Sequence, residues 1–152
     1  MDNSLKIVTA EEAVSHVKSG DRVFIQGAAM TPVTLIDALA NRYQSLENVE
    51  VMHLHTEGRA AYTEEPYYKS FKINSAFVGG NVRKAIQAGR GDYIPIFLSE
   101  VHWLFRRNIL PLDVAFIQIS TPDRHGYCSL GVSVDVTIPA IQTAKLVIAQ
   151  VN

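Results

Sequence analysis

One polar stretch of this 152-residue chain carries most of the side chains that could do chemistry, and it runs Ser-Thr-Pro-Asp-Arg-His-Gly-Tyr-Cys-Ser-Leu-Gly over residues 120–131. It follows the apolar run Val-Ala-Phe-Ile-Gln-Ile. Its polar groups are therefore expected at the carboxyl end of a buried strand, where open α/β sheets bind ligands. The candidate substrate-binding residues in this stretch are Ser120, Asp123, His125, Gly126, Ser129 and Gly131.

Two other interpretations of the same stretch stay open. Asp123, His125 and Ser129 are the residue types of a serine hydrolase, but the chain has no G-x-S-x-G elbow. The members of a catalytic triad also usually come from different elements rather than from one loop. Alternatively, the Asp and Ser side chains form local turns that close an ordered loop and bind nothing.

A second candidate site is the segment Gln-Gly-Ala-Ala-Met-Thr-Pro, residues 26–32, which joins a predicted strand to a predicted helix. Small residues there let a ligand approach the backbone, and a helix N-terminus offers free N–H groups to a carboxylate, phosphate or thioester oxygen. The segment is neither G-x-G-x-x-G nor a P-loop, so it does not indicate nucleotide binding. A tight strand-to-helix turn is the alternative. The substrate-binding candidates are Gln26, Gly27, Ala28 and Ala29.

The third candidate site, residues 79–83, repeats this design with a glycine pair before a predicted helix. Asn81 is expected to cap that helix. Arg83 lies in the first turn, where a cation opposes the helix dipole unless an anion is nearby. The alternative is that Arg83 simply points to solvent. The substrate-binding candidates are Gly80, Asn81 and Arg83.

Other reactive residue types are better explained as structural. His53 and His55 would face one side of a strand and permit a metal site, but no acid or Cys cluster supports one. A structural histidine pair is favoured, and no metal ligand is assigned. Cys128 is the single cysteine and is expected to be a packed thiol. Glu100 is interpreted as an acid that stabilises a first helical turn.

The elements that must position these loops alternate between short apolar runs and helical patterns. The runs at residues 22–26, 49–52, 76–78, 114–119 and 146–149 are β-branched and nearly continuous, as in strands that are buried on both faces. This predicts an α/β fold with an open, mostly parallel sheet and helices on its faces. Helices are predicted over residues 10–18, after an N-cap at Thr31, after an N-cap at Ser99, and before the last strand. Residues 56–69 are expected to form a long loop or an excursion over the sheet edge.

Composition excludes several classes of protein. Hydrophobic residues make up 47% of the chain and charged residues 19%, which excludes disorder as the main state, and the net charge of -1 argues against nucleic-acid binding. The N-terminus lacks the regions of a signal peptide and no apolar run could span a bilayer, so a cytoplasmic protein without membrane contact is expected. The chain stops just after an apolar strand, which predicts an uncovered sheet face and a fragment or a chain that needs a partner.

The motifs together resemble the N-terminal domain of the acetyl-CoA hydrolase/transferase family, and most closely its 4-hydroxybutyrate CoA-transferases. The resemblance extends along the whole chain, residues 1–152, as a single N-terminal domain. The matching stretches are residues 19–29, 53–58 (His-Leu-His-Thr-Glu-Gly), 80–83, 92–100, 110–115 and 122–135.

The resemblance implies a CoA-transferase-like fold and a ping-pong reaction in which a glutamate carries CoA between an acyl-CoA, such as acetyl-CoA, and a small carboxylate such as 4-hydroxybutyrate or butyrate. It places that glutamate in a C-terminal region beyond this chain, so no catalytic residue is assigned here and the chain alone is expected to be inactive. Coenzyme A is then a substrate, no cofactor is bound tightly, and the partners are the missing C-terminal half or a partner subunit, within a homo-oligomer. Acetyl-CoA hydrolysis, succinate:acetate CoA transfer, and a non-catalytic binding or assembly module remain alternatives.

Overall fold

Within residues 6–152, which the computed structural model describes, six parallel strands form one sheet in the order β4-β3-β2-β1-β5-β6. A parallel sheet requires a crossover between successive strands, and the helical segments of the chain supply these crossovers. The strands are β1 (Arg22–Ile25), β2 (Val49–His53), β3 (Phe71–Ser75), β4 (Gly91–Tyr93), β5 (Val114–Ile119) and β6 (Leu146–Val151).

The helices cover both faces of the sheet, as the apolar strand runs require. They are α1 (Ala10–Val14), α2 (Val33–Ala40), α3 (Gly80–Gln87), α4 (Val101–Arg106) and α5 (Thr137–Thr143). One core cluster joins the sheet to α1, α2 and α3. The other joins it to α4 and α5, where the rings of Phe24 and Phe105 meet edge to face at 5.6 Å. The expected open α/β architecture is confirmed.

The strand order reverses at β1. The chain adds β2, β3 and β4 on one side of β1, and then returns to place β5 on the other side. The carboxyl ends of β1 and β5 therefore flank a topological switch point, which is where open α/β sheets form their ligand crevices. Two of the three candidate loops, residues 26–32 and 120–133, start at this point.

Ion pairs and a charged hydrogen bond connect the strands at the opposite, amino-terminal edge of the sheet. The guanidinium of Arg22 pairs with Glu50 at 2.6 Å, and the Arg22 N–H donates to Asp113, which also pairs with Lys145 at 2.7 Å. Burial favours the protonated carboxyl of Asp113, but Lys145 and the Arg22 N–H outweigh it and hold the pKa of Asp113 below its usual value. These contacts fix the relative positions of β2, β1, β5 and β6, and hence of the loops at their far ends.

Several local predictions are wrong. The third strand is β3 at Phe71–Ser75, and residues 76–78 follow it instead of forming it. The strand was missed because Asn74 and Ser75 interrupt its apolar pattern, although both are buried. The first helix ends at Val14 and not near residue 18. The predicted caps at Thr31 and Ser99 are absent, since α2 and α4 begin after Pro32 and Glu100 and neither has a side-chain cap.

The segment from residue 56 to 69 is an excursion that packs on the sheet instead of a free loop. It contains two 3-10 turns, Ala61–Thr63 and Tyr67–Lys69. Tyr62 is 1% exposed and belongs to the core beneath α2. Because this segment starts at the end of β2, its packing also fixes the residues that border the candidate site.

Apolar side chains remain exposed on β6, where Leu146, Val147 and Val151 are 37%, 40% and 52% accessible. Leu146 and Val147 point to opposite faces of the sheet, so this exposure belongs to the edge strand and does not by itself show an uncovered face. None of the helices within residues 6–152 is long and apolar enough to cross a membrane.

Candidate functional site

Four segments meet at the carboxyl edge of the sheet, and we call them the edge loops: residues 26–32, 54–60, 76–83 and 120–133. They follow β1, β2, β3 and β5, which are neighbours in the sheet in the order β3-β2-β1-β5. The three segments that the sequence singled out are therefore brought to one edge. The fourth, residues 54–60, lies between two of them and connects them.

Backbone contacts join the edge loop after β1 (residues 26–32) to the edge loop after β2 (residues 54–60). The Ala28 N–H donates to the His55 carbonyl at 3.2 Å, and Ala28 and Thr56 form an isolated parallel bridge. Ala28 adopts a left-handed conformation with φ 50°, which turns the chain sharply out of β1. Gly27 passes so close to His55 that a β-carbon would overlap the His55 carbonyl. Gly27 and Ala28 thus lie against residues 55 and 56, just beyond the end of β2, whereas Ala29 is exposed at the surface of the edge.

Thr31 does not cap α2, because its hydroxyl is used inside the edge loops. It donates to the Ala28 carbonyl at 2.8 Å and accepts from the Glu57 N–H at 3.0 Å. The Thr34 N–H in the first turn of α2 bonds instead to the side chain of Gln150, on β6. The α2 N-terminus therefore has fewer free N–H groups than the sequence predicts, because one of them donates to Gln150, which is 116 residues away in the chain.

The prediction of Asn81 as a helix cap is wrong. Its side chain instead forms hydrogen bonds between the edge loops after β2 and β3. The N-cap of α3 is Gly79, and Asn81 lies inside the first turn. Its amide nitrogen donates to the Thr56 carbonyl, the Thr56 hydroxyl and the Gly58 carbonyl at 2.9–3.2 Å. Its oxygen is buried and has no hydrogen-bond partner among the described residues. The side chain thus holds residues 56–58 against the start of α3.

Replacing Asn81 by alanine is expected to lower the free energy of unfolding by about 1–2 kcal/mol, because three backbone and hydroxyl acceptors lose their donor. Urea denaturation of the 152-residue chain measures this. Arg83→Ala is the control, since Arg83 is exposed on the same helix turn; its unfolding free energy should stay within about 0.5 kcal/mol of the parent. An equal loss in both variants would contradict the clamping role of Asn81.

The stretch after β5 is an ordered loop closed by its own polar side chains. The Asp123 carboxylate accepts from the N–H groups of His125 and Tyr127 at 2.8 and 2.9 Å. The Ser120 hydroxyl accepts from the Ser129 N–H, and the Ser129 hydroxyl accepts from the Gly131 N–H. Gly126 supplies the left-handed conformation that the turn requires, with φ 82°.

The hydrolase interpretation of this loop finds no support in its geometry. Asp123 bonds the backbone of His125 and not its imidazole, whose Nε2 instead faces the guanidinium of Arg124 at 2.9 Å. The Ser129 hydroxyl is hydrogen-bonded to the next turn of the loop. Because no base contacts the serine and no acid contacts the base among residues 6–152, Asp123, His125 and Ser129 do not form a nucleophilic triad.

Two contacts join the β5 loop to the β1 loop across the switch point. Gly131 has φ 72° and packs on Met30 so closely that a β-carbon would overlap the Met30 thioether. Gln26 is fully buried, and its amide bonds only to backbone groups of β5 and of the β5 loop. Gln26 therefore lies beneath the edge surface, whereas Gly131 is exposed on it.

The two histidines of the His-Leu-His stretch have different environments. His53 ends β2 and is completely buried; its Nδ1 lies 3.3 Å from the Leu54 carbonyl, and its Nε2 has no partner among residues 6–152. Burial lowers the pKa of His53 to about 4, so the imidazole is neutral at pH 7. His55 lies beyond the strand, with its ring 5.6 Å from that of Phe77. Residues 6–152 contain no group of three His, Cys, Asp or Glu side chains placed to hold a metal ion.

Some candidate residues lie at the surface, where a ligand can reach them. Gly80 is exposed, and a β-carbon there would meet no atom within 4 Å. Arg83 is exposed and forms no salt bridge with any residue of the described chain. Together with the first N–H groups of α3, this guanidinium provides a positive region at the edge, which suits a carboxylate. Arg83 remains a predicted ligand contact.

The sequence does not single out Thr56, and it predicts Thr31 as a helix cap. Thr56 is buried and forms hydrogen bonds with Asn81 and, at 3.3 Å, with the hydroxyl of Tyr62. It therefore links the edge loop after β3 to the core. The only sequence signal for Thr56 was its place in the His-Leu-His-Thr-Glu-Gly stretch of the family resemblance. Two cavities of about 390 and 340 Å³ lie elsewhere, and neither is lined by a residue of the edge loops.

Comparison with known families and proteins agrees with this geometry. Residues 3–152 match the acetyl-CoA hydrolase/transferase N-terminal domain. The chain is 47% identical over 147 residues to the 4-hydroxybutyrate coenzyme A transferase of Clostridium kluyveri, covering 97% of this chain and 34% of that protein. It is 49% identical over 144 residues to a succinyl-CoA:acetate/propanoyl-CoA:succinate CoA transferase of Fasciola hepatica, covering 93% of this chain and 30% of that protein.

Solved structures show the same fold. RipA from Yersinia pestis superposes with a TM-score of 0.84 at 28% identity, over 97% of this chain and 36% of that one. A 4-hydroxybutyrate CoA-transferase from Porphyromonas gingivalis superposes with a TM-score of 0.78 at 33% identity, over 97% of this chain and 33% of that one. The chain thus spans about a third of the length of the proteins that it matches.

Proposed function

Because this chain belongs to the acetyl-CoA hydrolase/transferase family as its N-terminal domain, we propose that it is one wall of the active site of a CoA-transferase. The enzyme moves CoA between an acyl-CoA and a small carboxylate such as 4-hydroxybutyrate or butyrate. Residues 1–152 form the N-terminal domain, and the catalytic glutamate belongs to a C-terminal region outside it. The names of the relatives support this substrate class, since they are transferases of 4-hydroxybutyrate, succinate and butyrate.

In the proposed reaction, the glutamate carboxylate attacks the thioester carbonyl, and CoA leaves as a thiolate to give an acyl-glutamyl anhydride. The thiolate then attacks the glutamyl carbonyl, which releases the first carboxylate and leaves a glutamyl-CoA thioester. A second carboxylate repeats the two steps in reverse. Each step develops negative charge on an oxygen, which fixed N–H donors and a cation stabilise.

The observation that carries this proposal is the continuous set of edge loops at the carboxyl side of the sheet. Asn81, Thr56, Ala28 and Gly131 belong to four different loops, and each is tied to its neighbouring loop by a hydrogen bond or a close contact. Such an edge presents Arg83 and small exposed residues, among them Ala29, Gly80 and Gly131, to a ligand.

The proposal is tested by transfer of CoA from acetyl-CoA to butyrate or 4-hydroxybutyrate, with the chain alone and with the chain mixed with the C-terminal two thirds of a related transferase. We expect transfer in the mixture and none in either part alone. Transfer by the isolated chain would show that the nucleophile lies within it. No transfer in a mixture whose parts are shown by sedimentation to associate would contradict the proposal.

Arg83 offers a second, more local test. In the active mixture, Arg83→Gln is expected to raise the KM for the carboxylate roughly tenfold to a hundredfold, because a charge-assisted hydrogen bond contributes about 1.5–3 kcal/mol. Lys84→Gln is the matched control, since Lys84 is the next residue of α3, is also exposed and forms no salt bridge within residues 6–152. Equal kinetics in the two variants would remove Arg83 from the substrate site.

We also propose that the enzyme works in the cytoplasm, as part of acetyl-CoA metabolism and as a homo-oligomer. Its acyl-CoA and carboxylate substrates are small and polar, and coenzyme A acts as a substrate instead of a tightly bound cofactor. Size-exclusion chromatography with light scattering of the associated parts checks the oligomeric state: a single copy of each part would contradict it.

A further inference from the structure

The buried amide of Gln26 continues the sheet at the point where the backbone of β1 leaves it. The Gln26 N–H donates to the Phe116 carbonyl, as in a regular parallel ladder. The next ladder bond would run from the Gln118 N–H to the main-chain carbonyl of residue 26. Instead, the side-chain oxygen of Gln26 accepts that N–H, at 2.8 Å.

The other end of the same amide holds the β5 loop. Its Nε2 donates to the Leu130 carbonyl at 3.1 Å and to the Ser133 carbonyl at 2.9 Å. Both N–H donors and the oxygen of this side chain thus have partners, and all three partners are backbone groups without a titratable proton. The side-chain amide thus pairs as a backbone peptide group would: its oxygen accepts from β5, and its nitrogen donates to the loop that follows β5.

We propose that Gln26 is a positioning residue: it fixes residues 130–133 across the switch point and makes no contact with substrate. This inference rests on the proposed function only in that these residues border the site assigned there. Gln26 is 0% exposed and lies beneath the loop. A ligand that used its amide would have to displace at least one of these backbone partners, which are buried or partly buried and would lose a hydrogen bond.

Only an amide suits this position. A carboxylate at residue 26 would still accept the Gln118 N–H, but its second oxygen would face the carbonyls of Leu130 and Ser133. A protonated carboxyl could instead donate to one of them. Gln26→Glu should therefore keep the loop in place at low pH and release it at high pH, because ionisation creates a buried repulsion. Gln26→Leu should release the loop at every pH.

The test is amide hydrogen exchange of the 152-residue chain, followed at the Gln118 N–H by NMR between pH 5 and pH 9 and expressed as protection relative to the intrinsic rate. The control is Gln87→Glu, which makes the same chemical change at the exposed end of α3. We expect Gln26→Leu to lose at least roughly tenfold in protection throughout, since the loss of a net 1.4 kcal/mol is tenfold. For Gln26→Glu we expect near-parental protection at pH 5 and the protection of Gln26→Leu at pH 9.

Protection in Gln26→Leu equal to that of the control, or protection in Gln26→Glu that does not change with pH, would overturn the inference. In the transfer assay with the complementing C-terminal region, Gln26→Leu should lose on the order of 100-fold in kcat, because a wall displaced by about 1 Å costs that much. Gln26→Glu should recover activity as the pH falls, relative to Gln87→Glu. Full activity of Gln26→Leu would refute the positioning role. If the parental parts show no transfer, the proposed function fails, and the exchange result alone decides the role of Gln26.

Discussion

Gly27→Ala is expected to lower the free energy of unfolding by about 3 kcal/mol, which is the upper end of the usual range for overpacking. A β-carbon at this position would overlap the His55 carbonyl oxygen. That carbonyl also accepts the Ala28 N–H at 3.2 Å. If the new methyl group pushes the carbonyl away, this hydrogen bond between the edge loops after β1 and β2 is lost. Urea denaturation of the 152-residue chain measures the loss. For a chain of this length, thermal unfolding should fall by roughly 10 °C.

Two other glycines provide matched comparisons. Gly80→Ala adds the same atom in open space at the start of α3, so it should be neutral or stabilise by up to about 1 kcal/mol. Gly131→Ala meets the end of a flexible methionine side chain and a left-handed backbone, so a loss of about 1–2 kcal/mol is expected. If Gly27→Ala proves no more harmful than Gly80→Ala, the loop packing described here is wrong.

Acidification is expected to destabilise the chain by about 3 kcal/mol between pH 6.5 and pH 4, because of His53. Burial lowers the pKa of its imidazole from 6.5 to about 4 in the folded state. The unfolded chain therefore binds a proton over this range while the folded chain does not. The stabilisation is fully present above pH 6.5 and is lost as the pH falls toward 4, at up to about 1.4 kcal/mol per pH unit.

The slope of unfolding free energy against pH, from urea titrations at several pH values, tests this. His53→Gln should flatten the slope between pH 6.5 and pH 4, whatever its effect on stability at pH 7. His125→Gln is the control, since it makes the same chemical change at an exposed position. The Asp113 carboxylate, whose pKa is lowered, loses its stabilisation only below about pH 4. Parallel slopes in the two variants would show that His53 does not carry the effect.

The sequence alone was sufficient for the class of fold, the family and the loops that the fold brings to the carboxyl edge of the sheet. Continuous β-branched runs, such as residues 114–119, indicate parallel strands because only a sheet covered on both faces buries every side chain of a strand. Glycines and polar residues directly after such runs indicate edge loops, because the carboxyl ends of parallel strands share one edge. These signals are local, since they depend on the period of the pattern and on backbone conformations that only certain residues adopt readily.

The tertiary structure decided what each polar side chain does. Gln26, Thr31 and Asn81 have the residue types expected of a ligand contact and of two helix caps. Their hydrogen bonds go instead to groups up to 107 residues away in the chain. Ser75 similarly interrupts an apolar pattern, yet it is buried because its hydroxyl bonds to the Leu54 and Phe77 carbonyls. A polar group must be satisfied wherever it is buried, and its partner is set by which segments the fold brings together, which no local pattern contains.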